Sequence, residues 1–458
     1  MKLEFTRREP GNTRLILVFS GWSTSASLYA DIIKPGWDTA VVTDYSDIIF
    51  PEEALTPYTT VYLYCWSMGV WAASRVVPPC KITMAFAVNG TEHPVDDQRG
   101  IPGRVFRGTA DTLNERNLMK FRRRMVGDSG MDIETLSKDS ASVVHLKKEL
   151  ETILFQIDRF SSNSPIHWRR VYIGKNDLIF PSNNQRRAWE EVGNRCGEIY
   201  ESNDPHYISM KRIVDTTIPD IKKVGQRFED SSGSYDSNAT AQAKIARRLT
   251  EFIRNSHVGT SPSILEIGQG TGLFTKMYGK IVKPRRVEFV DIYPTPHFHI
   301  ADDETYHVTD AEIWMEKQHS RYDLIVSAST IQWFRNPERF FENSSRLLNK
   351  DGVLVCSTFL PGTLAIFDRF RPSPMLYHKK EDLMSFARNW FEKVEEEELN
   401  IELKFSDAKQ ALLHLRHTGV GGSFGRFGLL REVIEAMTSD KGDVKLDFHA
   451  LCLKASSG

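Results

Sequence analysis

The sequence predicts an α/β protein with two domains, because two series of strand-like runs, each alternating with helical stretches, are separated by a turn-rich segment. The first series comprises 15–19, 40–43, 60–64, 82–88 and 171–174, and the second comprises 264–267, 287–290, 324–326 and 353–356. With 458 residues, 40% of them hydrophobic, the chain is long enough for two cores. Because strands that alternate with helices usually pair in parallel, each series predicts a mainly parallel sheet.

The segment between the two series indicates the domain boundary. It contains Pro219, Gly225, Gly233 and the serine-rich run 231–234, a composition typical of a linker. We therefore predict a first domain over 1–217, a linker over 218–232 and a second domain over 233–458.

Composition argues against several classes of function. The 59 basic and 60 acidic residues give a formal net charge of −1, which provides no global attraction for nucleic acid or an anionic membrane. Residues 1–10 are charged, unlike a secretory signal, and no apolar run approaches the ~18 residues of a membrane span. The five cysteines are scattered without a Cys-x-x-Cys pair. We expect a cytoplasmic protein with free thiols, no metal, and neither nucleic acid nor membrane as partner.

A serine motif follows the run 60–64. The sequence Cys-Trp-Ser-Met-Gly at 65–69 resembles the Gly-x-Ser-x-Gly turn that carries the nucleophile of α/β-hydrolases, with Cys65 replacing the first glycine. Such a turn needs an apolar strand before the serine and small neighbours beside it, so that the hydroxyl projects from the sheet. Ser67 is therefore the candidate nucleophile of an α/β-hydrolase fold. A buried strand that merely ends in serine is the alternative.

Two further residues complete a candidate triad in the chain order of α/β-hydrolases. Asp177 follows a predicted strand at the sheet edge, and His206 lies in an Asn-Asp-Pro-His loop. His206 would accept the Ser67 proton as general base, while Asp177 would orient the imidazole and stabilise its charged form. Asp111 is the competing acid. A helix-capping Asp177 with a surface His206 is the non-catalytic alternative.

The oxyanion of a tetrahedral intermediate needs backbone donors, normally one after the nucleophile and one after an early strand. Met68 and Trp22 occupy those positions, and the glycine of the Phe-Ser-Gly-Trp turn at 19–22 allows close approach of a substrate. A strand-ending glycine turn without such a role is the alternative.

Residues 95–165 interrupt the first strand series and are predicted to form an inserted lid over the serine. The front part of this lid, 104–124, holds seven basic residues against two acidic ones. Such a patch suits an acidic carrier protein, and Arg122, Arg123 and Arg124 are the candidate docking residues. A solvated helix face would explain the same charges without a partner.

A glycine loop opens the second series. The sequence Glu-Ile-Gly-Gln-Gly-Thr-Gly at 266–272 indicates a strand, a turn and a helix start, where glycines let the backbone approach a ligand. Asp291 ends the next predicted strand, about twenty residues on, where a carboxylate binds ribose hydroxyls in dinucleotide and other nucleoside cofactors alike. Asp310 and Ala311, with the strand end at 327–333, make the series similar to class I (Rossmann-like) methyltransferases that use S-adenosylmethionine (SAM).

Two narrower resemblances concern one pathway. The segment 234–242, Ser-Tyr-Asp-Ser-Asn-Ala-Thr-Ala-Gln, and the Ile-Gln-Trp sequence at 331–333 resemble BioC-type methyltransferases, which methylate the free carboxyl of malonyl-acyl carrier protein. The first half, with its Phe-Ser-Gly-Trp turn, serine motif and Asp177 to His206 spacing, resembles BioG-type carboxylesterases, which hydrolyse pimeloyl-acyl carrier protein methyl ester. Together they imply a bifunctional enzyme of biotin precursor synthesis. Two unrelated small-molecule activities, or a scaffold with one inactive site, are the alternatives.

The resemblances also imply site residues. A carboxylate accepts a methyl group without a general base, so no catalytic dyad is expected in the second domain. The predicted cofactor-binding residues are Tyr235, Gln242, Glu266, Gly268, Gly270, Gly272, Asp291, Asp310 and Ala311. A cation should pair with the malonyl carboxylate, and the sequence does not choose among Arg369, Arg371, His378, Arg416 and His417. If both activities are present, the lid must make the esterase reject the short malonyl ester.

Overall fold

The computed structural model divides the chain into two compact units, Met1–Asp215 and Thr216–Gly458. It describes residues 1–50, 55–76, 78, 80–157, 164–256, 258–370, 375–419, 430–437 and 444–457. Within these ranges, no helix combines the length and the apolar character that crossing a membrane requires.

The first unit is built on a sheet that has seven strands among the described residues, in the spatial order β1-β3-β2-β4-β5-β6-β7. All neighbours pair in parallel except β1 with β3. The sequence pattern missed both edge strands, β1 and β7, because neither is a continuous apolar run. The strands are β1 Lys2–Arg7, β2 Arg14–Phe19, β3 Asp38–Thr43, β4 Thr60–Trp66, β5 Ile82–Val88, β6 Trp168–Gly174 and β7 Cys196–Ser202.

Helices connect the strands of the first unit. The predicted lid region contains four helices between β5 and β6, as far as the chain is described. Because a parallel sheet is buried on both faces, its central strand β4 has no exposed residue. The helices are α1 Met68–Val76, α2 Gly103–Asp111, α3 Glu115–Val126, α4 Ile133–Ser137, α5 Val143–Ile157, α6 Ser182–Val192 and α7 Met210–Thr217.

The second unit also has a sheet with seven described strands, in the order β10-β9-β8-β11-β12-β14-β13. The first five pair in parallel, whereas β14 is antiparallel to both neighbours. The glutamates at 395–398 lie on β13, and all four form ion pairs with Lys380, Lys454 or Arg248. The strands are β8 Ser263–Ile267, β9 Arg286–Asp291, β10 Asp303–Val308, β11 Tyr322–Ser327, β12 Leu348–Phe359, β13 Lys393–Phe405 and β14 Val444–Ser456.

The helices of the second unit correct one prediction. The range 218–232, predicted as a linker, lies largely within a helix, α8. The Asp220 side chain caps its start, and Gly225 packs closely on Ile292, so tertiary contacts override the low helix propensity of Gly and Ser. The helices are α8 Ile221–Asn238, α9 Thr240–Arg254, α10 Thr275–Tyr278, α11 Ala311–Lys317, α12 Pro337–Leu347, α13 Lys380–Arg388, α14 Ala408–His417 and α15 Leu430–Met437.

Candidate active sites

Ser67 occupies a sharp turn between β4 and α1. Its φ is +57°, a conformation that few non-glycine residues adopt and that stores local strain. Two glycines make room for the turn, because a Cβ on Gly69 would lie 2.2 Å from the Phe19 carbonyl oxygen and one on Gly90 would lie 2.3 Å from that of Ser67. Cys65, in contrast, is a fully buried residue of β4. Because it lies in the strand before the turn, this position does not need glycine.

The three predicted triad residues are in contact. The His206 ring places Nε2 2.9 Å from Ser67 Oγ and Nδ1 2.9 Å from Asp177 Oδ2. Asp177 is held in turn by the backbone N–H groups of Ile179 and Phe180, which donate to Oδ1 at 2.7 and 2.9 Å. The competing acid Asp111 is exposed at the end of α2, so the carboxylate beside His206 is that of Asp177.

Neighbouring side chains fix this arrangement. The His206 ring stacks on Phe180, with centroids 5.9 Å apart and planes 4° apart. The Trp66 indole N–H donates to the His206 carbonyl oxygen at 2.9 Å. Gln185, which the sequence reasoning did not identify, donates from Nε2 to Asp177 Oδ2 at 3.0 Å and is fully buried. It lies eight residues after Asp177 on α6, and no sequence signal distinguishes it from other helical glutamines.

Ser67 opens into a mostly apolar cavity of about 500 Å³, including its mouth. The predicted oxyanion residues Trp22 and Met68 both line this cavity. The Trp22 indole N–H donates to the Leu146 carbonyl oxygen at 3.2 Å, which connects the turn after β2 to α5. The remaining lining residues are Ile101, Val105, Phe106, Thr109, Phe121, Arg124, Leu150, Leu178 and Ile179. Most of them belong to the predicted lid.

The three candidate docking arginines of α3 differ in position. Arg123 and Arg124 are exposed, and Arg124 lines the mouth of the Ser67 cavity. Arg122 is buried and donates to the Ser23 carbonyl oxygen and to Ser140 Oγ, so its prediction as a docking residue was wrong. On a helix, adjacent residues point about 100° apart, so three consecutive arginines do not all face the same side.

The second unit contains a cavity of about 1030 Å³, including its mouth, at the carboxyl ends of β8, β9 and β11. Seven of the nine predicted cofactor-binding residues line it: Tyr235, Gln242, Gly268, Gly270, Asp291, Asp310 and Ala311. Such a position, outside the strand ends of a parallel sheet, is where open α/β folds bind nucleotides.

The glycine loop forms one wall of this cavity. Gly268 and Gly270 have φ values of +74° and +58°, which glycine adopts at low cost. A Cβ on Gly268 would lie 2.0 Å from Thr330 Oγ1, whereas one on Gly270 would meet nothing nearer than the Tyr293 hydroxyl at 3.6 Å. Gly268 is therefore required for packing, and Gly270 keeps the cavity open.

Two acidic residues that line the cavity, Asp291 and Asp310, form different hydrogen bonds and ion pairs with the protein. Asp291 Oδ2 accepts from the Gly270 N–H at 2.8 Å, and burial raises the pKa of Asp291 to about 6. Asp310 Oδ1 caps α11 through the Glu312 N–H, and its Oδ2 forms an ion pair with Arg335. Arg335, another residue that the sequence reasoning missed, also pairs with Glu312, and both of these residues line the cavity. Asp291 Oδ1 also accepts from the Ile292 N–H at 2.7 Å, so both carboxylates are held by the protein. Since a carboxylate has about four acceptor sites, Asp291 can still accept from a ligand hydroxyl.

Two predicted cofactor-binding residues do not line the cavity. Glu266 is buried, and its carboxyl accepts from the Tyr278 hydroxyl at 2.6 Å and from Thr275 Oγ1. Burial raises the pKa of Glu266 to about 7. A Cβ on Gly272 would lie 2.1 Å from the Phe298 ring, so this glycine is a packing residue. The structure thus gives no support for direct ligand contact by Glu266 or Gly272, since the motif indicates spacing but not the direction in which each residue faces.

The cavity fits the cofactor that the sequence resemblance implies. Asp291 offers a carboxylate to ribose hydroxyls, Gly270 leaves space for the ligand, and aromatic residues including Tyr235, Phe228 and Trp333 form an apolar wall. Among the candidate cations, Arg371 and the side chain of Arg369 lie outside the described residues. His378, Arg416 and His417 are not among the described residues that line either this cavity or its smaller neighbour.

Residues 1–214 match the family model described as pimeloyl-ACP methyl esterase BioG, and residues 236–401 match a methyltransferase-domain model. The malonyl-[acyl-carrier protein] O-methyltransferase of Bacteroides fragilis is 30% identical over 465 residues, which cover 97% of this chain and 93% of that relative. This chain belongs to the malonyl-[acyl-carrier protein] O-methyltransferase family. The family assignment confirms the prediction of an esterase domain followed by a methyltransferase domain whose cofactor is SAM.

Other relatives match one half of the chain. The malonyl-[acyl-carrier protein] O-methyltransferase of Porphyromonas gingivalis is 30% identical over 202 residues, covering 44% of this chain and 78% of that relative. The crystal structure of BioG from Haemophilus influenzae is 31% identical, covers 45% of this chain and 94% of that chain, and has a TM-score of 0.40.

Proposed function

We propose that this chain catalyses two steps of biotin precursor synthesis: SAM-dependent methylation of the malonyl-acyl carrier protein carboxyl, and hydrolysis of pimeloyl-acyl carrier protein methyl ester. The observation that carries the proposal is that each unit holds a separate site suited to one reaction. The first has a Ser67–His206–Asp177 hydrogen-bonded series, and the second has a cavity lined by a glycine loop and Asp291. Membership of the methyltransferase family and the match to an esterase family support the same pair of reactions.

For the first unit we propose an α/β-hydrolase fold and a serine esterase mechanism. Ser67 Oγ attacks the ester carbonyl while His206 Nε2 accepts its proton and then passes it to the leaving methoxide. Asp177 keeps Nδ1 protonated and stabilises the imidazolium. The backbone N–H groups of Trp22 and Met68 donate to the oxyanion. Water then hydrolyses the acyl-enzyme with His206 as base.

For the second unit we propose direct transfer between SAM and a carboxylate. SAM, when bound, supplies an electrophilic methyl group on a sulfonium. Asp291 accepts hydrogen bonds from ribose hydroxyls, and the loop of Gly268 and Gly270 lets the cofactor lie close to the backbone. Tyr235 and Gln242, on α8 and α9, line the cavity and exclude water from the transfer.

Both substrates are thioesters of acyl carrier protein, and we propose that the first unit binds this protein through exposed arginines. Arg123 and Arg124 lie on one helix of the lid, and Arg104 and Arg107 are exposed on α2. A cationic surface beside the cavity mouth would attract an acidic carrier and speed its encounter. Arg122 contributes by holding α3 to the turn at Ser23.

The decisive experiment separates the two sites in one chain. Ser67→Ala removes the nucleophile, and Gly270→Arg places a long side chain in the cofactor cavity. Each variant is expressed in biotin auxotrophs that lack either the methyltransferase or the esterase. We expect Ser67→Ala to rescue only the methyltransferase mutant, and Gly270→Arg to rescue only the esterase mutant. If the wild-type chain rescues neither strain, the proposal is wrong, and two unrelated small-molecule activities become the better explanation.

A further inference from the structure

A second, smaller cavity adjoins the cofactor cavity of the second unit. We call it the acceptor cavity; it has a volume of about 510 Å³ including its mouth. The two cavities share five lining residues: Phe228, Tyr235, Gln242, Ser329 and Trp333. A ligand in the acceptor cavity would therefore lie directly against a ligand in the cofactor cavity.

Three buried polar atoms at the acceptor cavity lack a partner among the described residues: Trp333 Nε1, Gln332 Oε1 and Gln242 Oε1. Leaving a buried donor or acceptor unpaired costs ~1–3 kcal/mol, so several around one cavity indicate groups reserved for a ligand. The indole N–H can only donate. The Gln332 amide N–H donates to the Ser329 carbonyl oxygen at 2.5 Å, which leaves Oε1 as an acceptor.

The acceptor cavity is neutral wherever its lining is described. Its walls are mainly aromatic, including Phe359, Tyr377 and Phe448, and no Arg, Lys or His belongs to the described lining. Burial holds the pKa of Tyr235 above its usual range, so that its hydroxyl stays protonated. The described part of the lining thus offers hydrogen bonds without charge.

We propose that the acceptor cavity binds the methyl-accepting carboxylate through a neutral hydrogen-bond donor of its described lining, rather than through a cation there. This inference rests on the proposed methyl transfer. Trp333 Nε1, on the wall shared with the cofactor, donates to the carboxylate. Gln332, which lines only the acceptor cavity, accepts from an amide N–H of the thioester arm.

The chemistry favours a neutral site. A carboxylate oxygen forms the new bond to the methyl carbon, the carbon–sulfur bond breaks, and its electron pair stays on sulfur. The negative carboxylate and the positive sulfonium both become neutral, and no proton moves. A cation paired with the carboxylate would stabilise the ground state more than the transition state, whereas an apolar cavity does the opposite.

The test compares Trp333→Phe and Gln332→Leu with Trp314→Phe, which changes a tryptophan outside the described lining of both cavities. Substrates are malonyl-acyl carrier protein and S-ethyl malonyl thioester, which has no amide. We expect Trp333→Phe to lower kcat/KM about 10- to 100-fold on both substrates, because it removes a hydrogen bond to a charged group. Gln332→Leu should lower it about 5- to 10-fold on the carrier-bound substrate alone, because it removes a bond between neutral groups. Trp314→Phe should change neither.

Affinity for S-adenosylhomocysteine, measured by calorimetry, separates this role from cofactor binding or folding. It should stay within about threefold of wild type in all three variants. The proposal is overturned if Trp333→Phe keeps its kcat/KM within twofold, or if both activity and cofactor affinity fall together. Equal loss on both substrates in Gln332→Leu would overturn the assignment of Gln332. If the wild-type chain binds S-adenosylhomocysteine but methylates neither malonyl substrate, the proposed function itself is wrong, and this inference is wrong with it.

Discussion

At the scale of single residues, the Ser67 turn depends on space that only glycine leaves. A Cβ added at Gly90 would lie 2.3 Å from the Ser67 carbonyl oxygen, a backbone atom that can move away only if the turn opens. We expect Gly90→Ala to lower esterase kcat by at least about 100-fold, since a misplaced nucleophile loses its near-attack geometry. Gly108→Ala is the control, because a Cβ there meets nothing within 4 Å. Hydrolysis of a p-nitrophenyl ester measures both; equal activities would contradict this account of the turn.

A second residue-scale prediction concerns the support of Asp177. Gln185→Leu removes the amide that donates to Oδ2 while keeping a similar volume. Asp177 still binds His206, so we expect a moderate loss of kcat, about 10-fold, with KM unchanged. Asp177→Asn should cost about 1,000- to 10,000-fold, because it favours the wrong imidazole tautomer. Steady-state kinetics on one small ester compare the two. A larger loss in Gln185→Leu than in Asp177→Asn would contradict the assigned order.

The candidate triad could be predicted because chain order and flanking strands restrict where its members lie. Ser67, Asp177 and His206 each follow an apolar run or a turn signal, and the structure brings all three together. Whether a side chain faces the core cannot be predicted in this way. Arg122 and Glu266 carry charge in sequence positions that suit a surface and a ligand, yet both are buried against their own unit. Their orientation depends on packing between elements distant in sequence.

At the scale of elements, strands and helices that depend on packing against distant parts of the chain are likewise hard to predict from sequence. Strands that contain a continuous apolar run, such as β4, β5 and β8, were predicted. The neighbouring strands β13 and β14 were not, and in β13 the acidic run at 395–398 obscures the alternating exposure. The sequence of α8 is rich in Gly and Ser, and only its contacts with Ile292 and the helix α14 explain its helical state. Elements that are stabilised mainly by tertiary contacts show only weak secondary-structure patterns in their own sequence.

The helix α3 leads to a prediction about carrier binding. Arg123→Glu reverses a charge that is exposed and outside the described lining of the Ser67 cavity. We expect KM for the carrier-bound ester to rise about 5- to 10-fold, and the effect to shrink at high salt, while a small ester is unaffected. Lys81→Glu is the matched control, because Lys81 is exposed just before β5, at the sheet end opposite Ser67. Equal effects of both variants would rule out docking at α3.

The helix α5 carries a buried acid, Glu149, that accepts from the Tyr45 N–H at 2.9 Å. Burial raises the pKa of Glu149 from 4.5 to about 7. Since the folded state then binds a proton more tightly than the unfolded state, this residue lowers stability as pH rises from about 4.5 to about 7. As the pH rises from 5 to 8, the free energy of unfolding of Glu149→Gln should therefore increase by about 1–3 kcal/mol relative to that of wild type. Scanning calorimetry at both values tests this; the transition of the second unit is the internal control.

At the scale of the whole chain, two opposing reactions must coexist. If the esterase accepted malonyl methyl ester, it would destroy the product of the methyltransferase and consume SAM without net synthesis. The Ser67 cavity offers a physical basis for discrimination, because its lining is mainly apolar. A pimeloyl chain buries four more methylenes than a malonyl chain, worth up to about 3 kcal/mol or about a 100-fold preference.

This requirement gives a prediction for the intact protein. Wild type and Ser67→Ala are each incubated with SAM and malonyl-acyl carrier protein, and the methyl ester is measured by mass spectrometry over time. We expect both to accumulate it at rates within about twofold, since rejection of the short ester leaves the product intact. With pimeloyl-acyl carrier protein methyl ester, only the wild type should release the free acid. If Ser67→Ala accumulates far more malonyl ester than wild type, the first unit does not discriminate by chain length, and the two reactions must be separated by some means other than the shape of the Ser67 cavity.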